Sequence, residues 1–464
     1  MGGLFIVCPR RRRGDSMAKR AWSLCLAGTV FFFFFSAGAS PAETLQEAVQ
    51  YLIETNPEIR TVVYNRLARD QQVTQARAGY FPELGLMGGA GFQEVDKPLD
   101  QSLDPWEFAL SLRQNVFRGW QDMNEVQRQE ARVRSQAYVI RSASENTALQ
   151  TARVYLEVLR KQAFVGLAKE NLQVHQRIYD QIRLRSESGI DRRADMNQVE
   201  SRLALAESNL IVNETNLLDA QTNYLGVVGH LPDGLAMPEP PDAFMPASLE
   251  DAQELALQGH PTLQQAEEDL VARKHQDDVA RAPFMPIVDL ELDKYWSEDV
   301  EYGLNTDEEN LIGMVRVRWN LFKGWKDQAR KAETSYLISE AREIRNNTHR
   351  QVVESVRLSW MAYQAAVNRM SFLQKRVESS DATALAYSRQ WDIGKRTLLD
   401  VLDAEAERID ARRQLIDARF DGFIAQYRIM NGMGKMVHCL DLDWPEEAYF
   451  DGEAGTTERV KENS

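Results

Sequence analysis

Cysteine is nearly absent from this chain: Cys8, Cys25 and Cys439 are the only three in 464 residues. The first two fall in an N-terminal leader, so Cys439 stands alone in the mature chain and no internal disulfide can form. Cys25 lies inside the leader's apolar run without small residues just before it, which gives no support to a lipid-anchored N-terminus. Histidine is as sparse. His175, His230, His260, His275, His349 and His438 are scattered without a metal-ligand spacing. No nucleophile, base and orienting group can be assembled, so the chain is read as no enzyme and as needing no cofactor. Gly394-Lys395-Arg396-Thr397 has the look of the end of a phosphate loop, but the first glycine and the preceding strand are missing. Proline is missing from Trp120 to Arg185, and the only glycine there is Gly166. An unbroken helix through that stretch would run roughly 100 Å.

Positive charge is in deficit. Lys and Arg number 55 against 69 Asp and Glu, a formal charge of −14. The leader holds Arg10 to Arg13, Lys19 and Arg20 against Asp15, a net +5, so its removal takes −14 to −19. Nucleic acid and anionic membrane surfaces are poor partners for such a chain, whereas cations and basic protein surfaces suit it. The leader itself, residues 1–39, reads as a signal peptide: Met17-Ala18-Lys19-Arg20, an apolar run from Trp22 to Phe35, then Ala37-Gly38-Ala39. That run is short for a spanning helix, which needs about 20 residues. A start at Met17 would make a signal peptide of ordinary length.

What is present is a duplication. Pro57, Ala68, Arg69, Gln72, Ala76, Arg77, Ala78 and Pro82 recur about 205 positions on as Pro261, Ala272, Arg273, Gln276, Ala280, Arg281, Ala282 and Pro286. Asn115-Val116-Phe117-Arg118-Gly119-Trp120 is answered by Asn320-Leu321-Phe322-Lys323-Gly324-Trp325. Gly189, Asp195, Glu200, Leu210 and Gln221 are answered by Gly394, Asp400, Glu405, Leu415 and Gln426. One architecture is built twice, over 40–235 and 249–440, joined by a proline-rich linker at 236–248 and followed by an acidic tail at 441–464. Enzymes rarely need two near-equivalent copies of everything; symmetric channels do.

Each half reads as helix, strand pair and long helical hairpin. Leu45 to Arg77 is helical with a break at Asn56-Pro57, and Pro82 ends it. The period then changes to two: Leu84, Leu86, Gly88, Ala90 and Phe92 share one face, as do Phe108, Leu110 and Leu112 beyond a polar loop from Glu94 to Pro105. Val288, Leu290 and Leu292 alternate with acids, and Leu311, Val315, Val317, Trp319 and Leu321 repeat the pattern. Such a hairpin can belong to a soluble domain with one wet face. The signal peptide and four strands of roughly ten residues favour a membrane. Four strands cannot close a barrel, and a bilayer forbids open sheet edges, so several protomers would pool them. Knobs-into-holes spacing follows in Val353, Val356, Trp360, Tyr363, Val367 and Met370, in Val199, Leu203, Ala206, Leu210, Leu217 and Tyr224, and in Leu402, Ile409, Ile416, Phe423 and Met430. Asp403, Asp410 and Asp417 form an acidic heptad line beside Asp400, Glu407, Gln414 and Asp421. Unrelieved by lysine, that stripe suits water or a cation path, although a solvated coiled-coil face would look the same.

Trp391-Asp392-Ile393-Gly394-Lys395-Arg396-Thr397-Leu398-Leu399-Asp400-Val401-Leu402-Asp403-Ala404, with the two strand ends and the prolines before each strand pair, resembles the TolC-like outer-membrane efflux and secretion channels. The resemblance spans nearly the whole mature chain. It implies a mainly α protein: long helical hairpins forming a periplasmic α-barrel, with four β-strands per protomer entering a twelve-stranded outer-membrane barrel of a homotrimer. It implies a periplasmic gate at Asp400 and Asp403, and a closing network of Asp195, Trp391 and Arg396, in which Arg396 ties the mobile hairpin to a neighbouring helix. It places adaptor-docking tips at Gly189, Ile190, Gly394 and Lys395. Trp391 departs from the family's hydroxyl-bearing aromatic, and Ala194 stands where the arginine's hydroxyl partner is expected. Six carboxylates around a narrow axis should raise some of their pKa values and favour cations.

The leading reading is therefore an exit duct for type I secretion or multidrug efflux. Its partners would be a periplasmic adaptor, an inner-membrane transporter and outer-membrane lipid, with no nucleic acid. The alternative is a soluble periplasmic coiled-coil adaptor or scaffold, which salt rather than detergent would release from membranes.

Overall fold

A computed structural model describes residues 42–96, 101–187, 193–298 and 307–450. The leader, the tip residues Gly189 and Ile190, residues 299–306 of the acidic loop and the chain after 450 lie outside the described residues. The first half runs α1 (Leu45–Thr55), α2 (Pro57–Ala78), β1 (Glu83–Ala90), β2 (Gln93–Val95), β3 (Gln101–Leu103), β4 (Trp106–Arg118), α3 (Gln121–Glu187) and α4 (Arg193–Val228). The second runs α5 (Leu249–Gly259), α6 (Pro261–Arg281), β5 (Ile287–Glu298), β6 (Glu308–Arg318), α7 (Lys326–Asp392) and α8 (Leu398–Gly432).

The two short-helix breaks arise from the same chemistry. Asn56 closes α1 and caps α2, its side-chain oxygen accepting the Glu58 and Ile59 N–H groups, with Pro57 as first helical residue. His260 does the same before Pro261, its Nδ1 accepting the Thr262 N–H at 3.3 Å. The α3 and α7 helices are each 67 residues long, roughly 100 Å.

The strands form one antiparallel sheet in the order β1-β4-β5-β6, so the two repeats meet at β4 and β5. Leu84 faces Leu112, which faces Leu292; Gln114 faces Leu290, which faces Val315. The apolar face so built is exposed: Leu84, Leu110, Leu112, Leu290, Leu292 and Val315 all stand open. The other face is polar and tied together, with buried Asp289 accepting from Arg113, Asn115 and Arg318, and Glu291 from Arg316. Between Glu94 and Pro105 the expected polar loop carries a small hairpin, β2 against β3.

The repeats are not exact copies at the strand ends. β4 continues to Arg118 with a bulge between Asn115 and Phe117, whereas β6 stops at Arg318 and leaves Trp319 to Leu321 irregular. β5 begins at Ile287, which faces Arg118 on one side and Arg318 on the other, so no strand residue is left opposite Trp319 to Leu321. Each strand then enters its long helix through a left-handed pair, Gly119-Trp120 and Gly324-Trp325, with φ between 58° and 68°. Gly119 admits no side chain, since a Cβ would lie 2.7 Å from the Ala282 carbonyl oxygen. A tryptophan in that conformation costs about 1–2 kcal/mol. The edge-on pairs Phe117–Trp120 (5.6 Å) and Phe322–Trp325 (5.7 Å) offset part of it, at about 0.5–1.5 kcal/mol each.

The main core joins both repeats around α3, with Tyr155, Leu156, Val356, Tyr427 and Met430 among its buried members. The Tyr155 hydroxyl lies within hydrogen-bonding distance of the Glu43 and Ala236 carbonyl oxygens, so the same helix fastens the segment before α1 and the linker. From Leu442 to Phe450 the chain is mostly irregular, with one 3-10 turn at Glu446–Ala448, but docked. Arg141 donates to the Ala448 carbonyl at 2.9 Å, and Glu145 accepts from Met436 N–H, Val437 N–H and the Trp444 indole. On α7 the buried residues Val352, Val356, Ser359, Ala366, Leu373, Val377, Ser380 and Ala384 step by threes, fours and sevens. Val353 and Val367, expected in that seam, flank it: the first is half-buried and the second exposed. At Ala366 the helices run close, a Cβ on Gly422 of α8 lying in van der Waals contact with the Ala366 Cβ at 3.8 Å.

Candidate functional site at the second hairpin tip

The turn from α7 to α8 is set by its own backbone. Lys395 N–H donates to the Gln390 carbonyl and Gly394 N–H to that of Trp391, the two bonds of a Schellman end, with Gly394 at φ +73°. Around Gly394 there is open space, so its backbone conformation alone calls for glycine. Thr397 then caps α8 in a reciprocal box: Asp400 N–H donates to its hydroxyl oxygen, while its own N–H and hydroxyl donate to the Asp400 carboxylate.

Asp400 is therefore a helix-capping residue in the protomer. Those Thr397 bonds, with Arg396 at 3.9 Å adding to them, hold its carboxyl below the usual aspartate range. Asp403, one turn on, is exposed and reaches Arg202 of α4 at 3.3 Å. Farther up, Asp410 pairs with Arg376 at 2.9 Å, and Asp417 and Asp421 lie 3.6 and 3.4 Å from Arg160. The acidic stripe expected to be unrelieved is thus relieved by arginines reaching from α3, α4 and α7.

The three residues of the expected closing network occupy separate settings. Trp391 is buried among Ile178, Ile182, Val199, Leu398 and Leu402, with the Arg185 guanidinium 4.9 Å from its ring. Arg396 stacks on Tyr387 at 4.2 Å and donates to Gln390 at 2.9 Å. Among the described residues its partners, Tyr387, Gln390 and Asp400, all sit on its own hairpin. Asp195 is half-buried in the first turn of α4, and no hydrogen bond joins it to Trp391 among the described residues. The structure brings Arg396 to Asp400 and leaves Asp195 apart.

Several residues on these hairpins escaped the sequence. Arg412 of α8 takes Asp381 of α7 through two bonds of 3.0 Å, and Glu170 of α3 at 2.7 and 2.8 Å. That clamp ties the first hairpin to the second, and Arg408 adds Glu170 at 3.5 Å. The only sequence signal was a pair of arginines four apart. Among the described residues no helix is long and apolar enough to cross a membrane, and no His, Cys, Asp and Glu group could hold a metal ion.

A family model described as "Outer membrane efflux protein" matches residues 48–230 and again 252–435. Outer membrane efflux protein BepC of Brucella suis biovar 1 is 24% identical over 418 residues, covering 90% of each chain. Outer membrane protein TolC of Escherichia coli is 23% identical over 424 residues, covering 86% of this chain and 83% of that one. The solved outer membrane protein VceC of Vibrio cholerae superposes with a TM-score of 0.73 at 17% identity, over 84% of this chain and 96% of that chain. An identity that low speaks for the fold alone. The double family match, once in each repeat, covers well over half the chain, and the protein belongs to the outer membrane efflux protein family.

Proposed function

We propose that the protein is the exit duct of a tripartite type I secretion or multidrug efflux system. Three copies would close a twelve-stranded barrel in the outer membrane and an α-helical tunnel in the periplasm. The observation that carries this is the inverted sheet: its apolar face is uncovered and its ion pairs, apart from Lys294–Glu309 at the far end, gather on the other. Water would penalise that arrangement, while lipid outside and water inside would favour it. The soluble-scaffold alternative gives that face nothing to bury against.

The protomer's edges support ring closure. In the sheet β1 and β6 are exposed along their whole length. Among the lower helices α3 packs on α4 and α8, and α8 on α7, leaving α4 and α7 outermost. Their outer sides carry Ile211, Leu218, Leu358 and Phe372, all exposed. Unlike edges that must meet make a head-to-tail contact, which closes as a ring. Asp400 and Asp403 would then line the narrow periplasmic end and favour cations, and Gly394 and Lys395, with Gly189 and Ile190 of the first tip, would face the adaptor. Such a duct moves substrate without catalysing a reaction.

Planar-bilayer recording tests the gate. Asp403→Asn should weaken cation selectivity and block by multivalent cations without touching the cap of α8. Asp400→Asn adds to the effect while keeping an acceptor for Thr397, whereas Asp400→Ala would also loosen the helix start. Unaltered selectivity and block in the double asparagine channel would remove both aspartates from the gate.

A further inference from the structure

The Ala-Arg-x-x-Gln element of the repeat, Ala68-Arg69-Gln72 and Ala272-Arg273-Gln276, has no part in the channel reading. In the structure its two arginines face one cavity of about 470 Å³ among α2, α3, α6 and α7. Arg128 and Arg132 of α3 line the same space, against two carboxylates, Asp269 and Glu340. Asp269 is engaged by the Ser135 hydroxyl at 2.7 Å, and Glu340 is exposed on α7. Among the described residues Arg69, Arg132 and Arg273 form no ion pair, while Arg128 pairs with Glu125 at 2.6 Å. Arg132 and Arg273 reach only glutamine oxygens. Arg69 Nη1 and Arg128 Nε are buried with no hydrogen-bond partner. Burial and the neighbouring Arg69 and Arg128 pull the Arg132 pKa below the usual arginine range. An acidic protein has thus gathered four guanidiniums in one recess and left part of their donor capacity unspent. Crowded like charges with unmet donors are costly unless an anion fills the space.

We propose that this cavity binds a phosphate-class oxyanion through Arg69, Arg132 and Arg273, with Arg128 beside them. Guanidinium forks match the paired oxygens of phosphate or sulfate, and a doubly charged anion balances the surplus of arginine over carboxylate. The anion could be free phosphate or the headgroup of a lipid. Position favours the free form: Arg128 and Arg132 lie roughly 10–17 Å along α3 from its start next to the sheet, deep for a headgroup.

The test uses the full-length protein in detergent, purified without phosphate, and titrated calorimetrically with inorganic phosphate at constant ionic strength. One saturable site per protomer is expected, weakened about tenfold or more in Arg69→Gln and in Arg273→Gln. The exposed control Arg357→Gln should bind as the parent does. The two variants come from different helices, so a folding defect in one leaves the other informative, and Arg132→Lys keeps the charge while losing the fork. Native mass spectrometry of the purified protein separates the sources, since a retained phospholipid that phosphate displaces would assign the site to a headgroup. Absence of both a saturable site and a bound phosphate or phospholipid would overturn the proposal. So would binding that is equal in parent and variants.

Discussion

The α3 and α7 helices are repeat equivalents of identical length, 67 residues, yet α3 buries 26 of its residues and α7 only 12. The difference is position. The first lies between α2, α4, α6 and α8, and serves as the spine that fastens the segment before α1, the linker and the C-terminal segment. The second is outermost and presents Tyr336, Leu358, Met361, Phe372 and Leu385 to the outside. One internal repeat has therefore yielded a helix buried within the protomer and a helix with an open apolar side. The sheet repeats the lesson, with β4 paired on both sides and β6 on one.

The largest effect should come from charging the open side. Phe372 is 75% exposed, so Phe372→Glu leaves the protomer's own packing intact. In the assembly it would bury an unpaired carboxylate, and size analysis in detergent should show the oligomer lost. If the oligomer persists unchanged, α7 is a solvent face. Next comes the spine. Leu156→Ala opens a cavity in the main core and should cost about 2–5 kcal/mol in urea unfolding, whereas Phe372→Ala should leave the protomer within about 0.5 kcal/mol. Equal losses at the two sites would erase the distinction between the helices.

A smaller effect lies in how α3 holds the C-terminal segment. Burial pushes the Glu145 pKa up from 4.5 to about 7, with the Met436 and Val437 N–H groups and the Trp444 indole pulling the other way. Between those values the folded side chain keeps a proton that the unfolded chain has lost. Stability therefore falls as pH rises through that window, by up to about 3 kcal/mol for the full shift. Amide exchange of residues 436–450, corrected for intrinsic rate, should be slower at pH 5 than at pH 8, and Glu145→Gln should flatten the difference. A parent protein with no such pH dependence would refute it. The smallest effect is expected at the tip, where Gly394→Ala places a Cβ at φ +73° and should loosen the turn by about 1 kcal/mol. Faster exchange confined to the tip is the expected readout, and no change would mean the turn relaxes at no cost.

Much of this architecture was legible from periodicity. The duplication, the breaks at Asn56 and His260, the strand faces and the two long helices follow from local rules that act the same way in either repeat. What escaped required knowing which elements lie side by side. Val353 and Val367 looked like better seam residues than Val352 and Ala366 because hydrophobic size says nothing of how closely α8 approaches at Gly422. The acidic line from Asp400 to Asp421 looked bare because Arg160, Arg202 and Arg376 reach it from other helices. Glu145 takes Met436, Val437 and Trp444, and Arg141, one turn before it, takes Ala448, all partners about 300 positions away that periodicity cannot reveal. At the tip, the turn at Gly394 was visible in the sequence, but the double duty of Asp400 as helix cap was not.

If one chain is an unfinished piece of a ring, closed only when the edges of β1 and α4 meet the β6 and α7 edges of other copies, native mass measurement should show it. The full-length protein, extracted from outer membranes in detergent, should then be a single species of three copies that persists on dilution and conducts ions when reconstituted. A folded monomer that conducts ions by itself would contradict it.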